Sequence, residues 1–189
     1  MIIEIPLLIS LFNQCQATVD SHTLGRIVDT ESDRQQYAIA VVGAEKTLNQ
    51  PKSKAEAIDV IKGLESAGFS YSVGLMQINN ANFAKHGLTL ETAFDNCENI
   101  RVGAEIFSGC FERAEKKFHG KSRSELLDLA ASCYYSGNFE RGFTVESTGT
   151  SYVQRFNSSN GYSSSLPITN HVQPNPSRTI KSWDVFGDF

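Results

Sequence analysis

The chain is poor in the features that usually announce a function. It has no apolar run long enough to cross a bilayer, and no stable membrane span is expected. The longest run, Ile2 to Phe12, is interrupted by Glu4 and Pro6 and reads as an N-terminal helix or packing strand. It lacks the basic start and small-residue cleavage site of a signal peptide, so a degenerate or mis-started export signal is the second reading. An excess of positive charge is missing too. Lys and Arg number 17 against 21 Asp and Glu, a formal net charge of −4, so overall charge gives a nucleic-acid partner no support. There is no C-x-x-C pair, and no cysteine has a histidine at metal-ligand spacing, which argues against zinc. No metal or organic cofactor is expected.

What is present suits one folded domain and a tail: 189 residues, 40% of them hydrophobic. A first helix is expected over Ser21–Ser32, capped by Asp20 or Ser21. Tyr37 to Gly43 reads as a strand or hairpin arm. Ser53 and Glu56 form a capping box for a second helix with Ile58, Ile61 and Leu64 on its stripe, stopped by Gly68. Phe69 to Asn80 reads as an extended segment that turns into a short helix over Asn80–His86. The longest helix is expected from about Asn99 to Phe118. A capping box at Ser122–Glu125 then opens a helix ending near Gly137, and the short loop makes these two helices antiparallel neighbours.

The four cysteines, Cys15, Cys97, Cys110 and Cys133, allow two disulfides in an oxidising compartment or four free buried thiols. If they are paired, helix geometry restricts the choice. Cys97 and Cys110 are too far apart along a helix, at ~1.5 Å per residue, for the ~7 Å limit of a bridge. Cys110 and Cys133 lie almost equally far from the turn of the helical hairpin and can face each other. Cys15 then pairs with Cys97 by elimination, both read as lying just ahead of helices.

The character changes after Arg155. From Phe156 to Ser177 there is no Asp, Glu, Lys or Arg, and Pro167, Pro174 and Pro176 fall among Ser and Asn. The domain boundaries expected are 1–156 for the folded part, 157–177 for a flexible linker and 178–189 for an aromatic tail. The tail carries Trp183, Val185, Phe186 and Phe189, and either docks on a partner or folds back onto the domain.

Chemistry enters where a pattern is broken. Leu24, Ile27 and Val28 make a helical stripe, and the next position on it is Glu31. Most helical glutamates are solvated. A glutamate continuing an apolar stripe at a helix end can instead line a cleft. There its ionised form is desolvated, its pKa rises from ~4.3 toward ~6, and it becomes a usable general acid. Ser32 follows it. Gly74 would let the backbone approach a ligand, Met76 offers a flexible apolar contact, and Gln77 and Asn79 offer amides suited to sugar hydroxyls. Tyr134, Tyr135 and Asn138 sit at the end of the last long helix, and Tyr152 shortly before the linker; aromatic faces with amides suit carbohydrate, although tyrosines at a helix end are more often packing. Asp29 and Asp33, two positions either side of Glu31, do not share its helix face.

In this order, Glu31-Ser32, Gly74-Leu75-Met76-Gln77, Tyr134-Tyr135-Ser136-Gly137-Asn138 and Tyr152-Val153 resemble the motifs of the family 1 lytic transglycosylases. The likeness covers roughly Cys15 to Phe156. "GLMQIN", "DNCENIRVGAEIF", "SCYYSGN" and the tail's "WDVFG" are most similar to the specialised transglycosylases of type IV secretion systems. One departure stands out: the family's third motif reads Tyr-Asn-x-Gly, and Tyr135 takes the Asn place.

The resemblance implies a mainly α (α+β) fold, goose-type lysozyme-like, with a small β-hairpin region and a disordered C-terminal tail. It implies a periplasmic enzyme that cleaves the β-1,4 bond between N-acetylmuramic acid and N-acetylglucosamine in peptidoglycan, with Glu31 as catalytic acid and then base. Ser32, Gly74, Met76, Gln77, Asn79, Tyr134, Tyr135, Asn138 and Tyr152 are the expected glycan-binding residues. Type IV secretion components are the expected partners, reached through the tail. A hydrolytic muramidase and a non-catalytic wall-binding assembly factor are the rival readings.

Overall fold

Amphipathic helices need a common apolar partner, and here several of them share one. The structure, a computed structural model, describes residues 1–42 and 49–162. Helix α1 (Ile5–Cys15) has Pro6 in its first turn, where a missing N–H is harmless, and buries Leu8 and Phe12. Helix α2 (Ser21–Ser32) is capped by Asp20, whose carboxylate accepts from the Thr23 N–H, and it buries Leu24, Ile27 and Val28 completely. Helix α3 (Lys54–Ser66) starts on Ser53, which accepts from Glu56 N–H. The expected box is half formed there, because the Glu56 carboxylate accepts from Lys52 N–H and not from Ser53.

The long helix α5 (Asn96–Lys117) begins three residues before the expected start, and α6 (Arg123–Ser136) opens on the full Ser122–Glu125 capping box and stops at Gly137. They form the expected helical hairpin. All four cysteines are bridged. Cys110–Cys133 joins the hairpin's arms with Cα atoms 5.7 Å apart, and Cys15–Cys97 joins α1 to α5 at 4.8 Å. Cys15 and Cys97 do not sit ahead of helices as expected: Cys15 closes α1 and Cys97 lies in the first turn of α5. Cys15–Cys97 closes an 82-residue span and Cys110–Cys133 a 23-residue one, worth about 4–5 and about 3 kcal/mol by chain entropy alone.

A small antiparallel sheet stands against the helices, in order β1 (Ile39–Val41), β2 (Tyr71–Val73), β3 (Ile78–Asn79). Ile39 faces Val73, and Val73 faces Ile78. The extended segment expected over Phe69 to Asn80 is therefore a hairpin, turning at residues 74–77. A 3-10 turn (Asn80–Asn82) and α4 (Phe83–His86) follow. After α6 come a 3-10 turn (Arg141–Phe143) and α7 (Tyr152–Ser158).

Packed structure continues beyond Phe156, where the linker was expected to begin. Helix α7 runs to Ser158, and Tyr162 is buried, its ring stacked near Phe12 at 6.2 Å. The rest of the expected linker and the aromatic tail lie outside the described residues. Among the described residues no helix is long and apolar enough to cross a membrane.

Candidate active site

The turn between β2 and β3 is the point on which the site is assembled. Gly74 has φ +79°, and a Cβ there would lie 2.3 Å from the Asn99 side-chain nitrogen. Both facts require glycine. Asn99, on the buried face of α5, donates to the carbonyls of Val73 and Ala93 and accepts from the Met76 N–H at 2.8 Å. Three further side chains fix the same turn. Ser32, at the end of α2, donates to the Leu75 carbonyl at 2.9 Å. Tyr134, on α6, donates to the Met76 carbonyl at 2.6 Å. Gln77, held at φ 46°, bonds through its own amide to the Ala38 and Gly74 carbonyls. Three helices are thus tied to one turn, and the bonds to Leu75, Met76 and their neighbours help to satisfy its backbone polar groups.

A groove of about 580 Å³ opens beside the turn. The sheet supplies Ala40, Ser72 and Ile78 to its wall, α6 supplies Tyr134 and Tyr135, and the 3-10 turn supplies Arg141. Gln77 and Asn79 line it as well, and so does Glu31. Among the described residues Glu31 is the only acidic one along the groove. It is partly buried, and Tyr152 on α7 donates its hydroxyl to Oε1 at 2.6 Å. Burial lifts the carboxyl pKa to about 7, against the opposing pull of the Tyr152 hydrogen bond and the Arg155 charge. Burial also pushes the Tyr152 and Tyr134 hydroxyls well above their ordinary value, with the Glu31 charge adding to it. Both are therefore donors at neutral pH. A carboxyl poised near 7 can give up a proton and take one back under the same conditions.

Several residues expected along a glycan are placed otherwise. The Met76 side chain is wholly buried, pressed on Gly103 of α5 where a Cβ would come within 2.6 Å of its Cε. Gly74 is covered by Asn99, so its backbone approaches α5 and not a ligand. Ser32 is buried under Leu75. Asn138 turns its side-chain oxygen to the N–H groups of Glu140 and Arg141, closing its own loop. Tyr152 reaches the site through Glu31, since it does not line the groove. Asp95 pairs with Lys54. Asp29 accepts from Ser159 and Tyr162. Neither lines the groove.

Asn99 was missed. Its signal was of the same kind as that of Glu31, a polar residue in register with an apolar helical stripe. It was hidden because the helix was started at Asn99 itself. Among the described residues no group of His, Cys, Asp and Glu is placed to hold a metal ion.

This order of motifs has known counterparts. Residues 9–157 match the family described as Transglycosylase SLT domain. The chain belongs to that family. The SLT domain here is also similar to two sets of curated proteins. It is 41% identical over 151 residues to the "Type IV secretion system protein virB1" of Brucella abortus and of Brucella suis, covering 80% of this chain and 62% of theirs. It is 28% identical over 194 residues to "Protein virB1" of Agrobacterium fabrum, covering 97% of this chain and 74% of that one. The SLT chain thus spans less than two thirds of the length of its Brucella relatives. No solved structure matches it significantly.

Proposed function

We propose that this SLT domain is a peptidoglycan lytic transglycosylase with Glu31 as its acid and base. The observation that carries the reading is a carboxyl on the groove wall, its pKa lifted to about 7 by burial, held by Tyr152. Protonated Glu31 would give its proton to the glycosidic oxygen between N-acetylmuramic acid and N-acetylglucosamine. As a carboxylate it would then take the proton of the muramic C6 hydroxyl while that oxygen bonds to C1. One chain end leaves with a free hydroxyl, and the other closes as 1,6-anhydromuramic acid, with no water consumed.

That scheme needs one carboxyl group. Glycosidases commonly use two, about 5–5.5 Å apart for retention or about 6.5–9.5 Å for inversion. Among the described residues the groove offers no second one, and on them the lyase is favoured over a hydrolytic muramidase. Gln77, Asn79, Tyr134 and Tyr135 are the residues best placed to meet a glycan.

The Brucella relatives, named as type IV secretion system proteins, support a place beside such an apparatus, and the reading puts the domain in the periplasm, where a local cutter would open the wall mesh. Two disulfides suit that oxidising compartment. The aromatic tail, residues 178–189, would be the contact with the apparatus. Deleting residues 163–189 is then expected to spare digestion of isolated sacculi and to reduce action in cells.

The deciding experiment is mass spectrometry of sacculi digested by the purified protein, wild type beside Glu31→Gln. Anhydro ends from the wild type alone support the reading. Reducing ends, one water heavier, would make it a muramidase. Glycan binding without product would make it a wall-binding module.

A further inference from the structure

One carboxylate close to the groove, but not on its wall, has no part in the mechanism above. Glu146 lies in the loop between the 3-10 turn and α7, and its two oxygens hold two different helices. Oε1 accepts from the Tyr135 hydroxyl at the end of α6, and Oε2 lies 2.8 Å from Nη2 of Arg155 on α7. The loop is fastened from the backbone as well. Glu146 N–H donates to the Thr150 carbonyl at 3.1 Å, and Arg155 Nη1 donates to the same carbonyl at 3.2 Å. Tyr135, held by its hydroxyl, lies flat on Tyr152, with ring centroids 4.7 Å apart and planes 15° from parallel. Tyr152 in turn holds Glu31. An asparagine in the place of Tyr135 would have no ring to stack.

Taking Glu31 as the acid, we propose that Glu146 is a positioning residue: it clamps Tyr135 over Tyr152, and its charge offsets that of Arg155, so that Glu31 still holds a proton when a glycan arrives. The electrostatics run in one direction. The Arg155 charge favours ionised Glu31. A guanidinium deprived of its carboxylate would do so more strongly. The other groups near Glu31 do not substitute for Glu146. Tyr134 of α6 and Tyr152 of α7 are uncharged, Arg141 of the 3-10 turn has the same sign as Arg155, and among the described residues the sheet and its turn offer the uncharged polar side chains Ser72, Gln77 and Asn79. On α2 itself, Asp29 is taken by Ser159 and Tyr162, and Asp33 lies with it on the wall of a separate groove.

The test compares the full-length wild type, Glu146→Gln and Glu146→Gln with Arg155→Gln. Two readouts are needed: the pH profile of product release from sacculi, and the titration of the Glu31 carboxyl carbon by NMR. The single variant is expected to move the alkaline limb, and the Glu31 titration, down by roughly half a pH unit, about a threefold loss at pH 8 with little at pH 5.5 and an unchanged KM. The double variant returns both to the wild-type position or above. A loss equal at every pH, or a Glu31 titration that stays in place, overturns the proposal. A wild type that releases no product overturns the enzymatic reading alone, since the carboxyl titration still decides the clamp.

Discussion

Helix α2 ends in two carboxylates two residues apart, and the helix turns them to different sides. Each accepts a tyrosine hydroxyl from the C-terminal part of the domain: Glu31 from Tyr152, Asp29 from Tyr162. The local pairing is nearly the same, yet the surroundings differ. Glu31 lines the groove between the sheet and α6, where burial opposes its charge. Asp29 takes a second hydroxyl, from Ser159, and fastens residues 159–162 to α2 beside a more open groove. A carboxylate with its acceptor sites filled is a structural tie. One with a single donor in a desolvating wall is, on the proposed function, the reagent. On that reading the tyrosine does not make the acid; the shielding does.

The sharpest way to break this contrast is to neutralise each carboxyl in turn. Glu31→Gln is expected to lower release of anhydromuropeptides from sacculi by at least about a thousandfold, the scale of losing the acid in a bond cleavage. Asp29→Asn should stay within about twofold. Comparable losses in both would erase the distinction between reagent and tie.

Burial of Glu31 also ties the stability of the fold to pH. A carboxyl whose folded pKa is raised to about 7 from 4.5 favours the fold fully below pH 4.5, and the contribution is lost as pH rises through 7. Ionised Glu31 at pH 8 is therefore a liability of up to about 3 kcal/mol. Glu31→Gln should melt at the wild-type temperature near pH 4.5 and several degrees above it at pH 8. Equal melting temperatures at pH 8 would mean that Glu31 is well hydrated.

Much of this site could be read in the sequence where a polar residue interrupts an apolar helical stripe, because period 3.6 leaves it nowhere else to point. Glu31 was found that way. The helix α2 boundaries, the Ser122 capping box and the Cys110–Cys133 bridge were legible for similar local reasons. The Gly74–Gln77 turn was not. It was treated as extended, with Met76 read as a flexible contact for a ligand, and Met76 proved to belong to the core. The bonds that fix this turn come from Ser32, Asn99 and Tyr134, separated from their partners by 43, 23 and 58 positions. No local period encodes such contacts. Tyr162 was lost to the linker for a different reason: composition describes a segment's average and not the single aromatic that packs.

Removing the hydroxyl from each tyrosine sharpens the contrast further. Tyr152→Phe takes away the one hydrogen bond that Glu31 makes among the described residues and should cost about tenfold in kcat, mainly through orientation, with KM little changed. The pH profile should also move. That bond holds the Glu31 pKa down, so its loss shifts the alkaline limb upward. Tyr162→Phe should alter neither quantity. An alkaline limb that moves downward in Tyr152→Phe would contradict the hydrogen bond as drawn.

The smallest effect belongs to the tie itself. Ser159→Ala removes one of two donors to Asp29 and leaves Tyr162 in place. The bond is partly exposed, so water replaces much of what is lost, and the cost should be about 1 kcal/mol in urea unfolding with activity unchanged. Asp29 keeps one donor and its access to solvent, whereas Glu31 in its wall has no such relief. A drop in activity from Ser159→Ala would show that the packing of residues 159–162 reaches across α2 to the acid, and that the two sides of the helix are coupled.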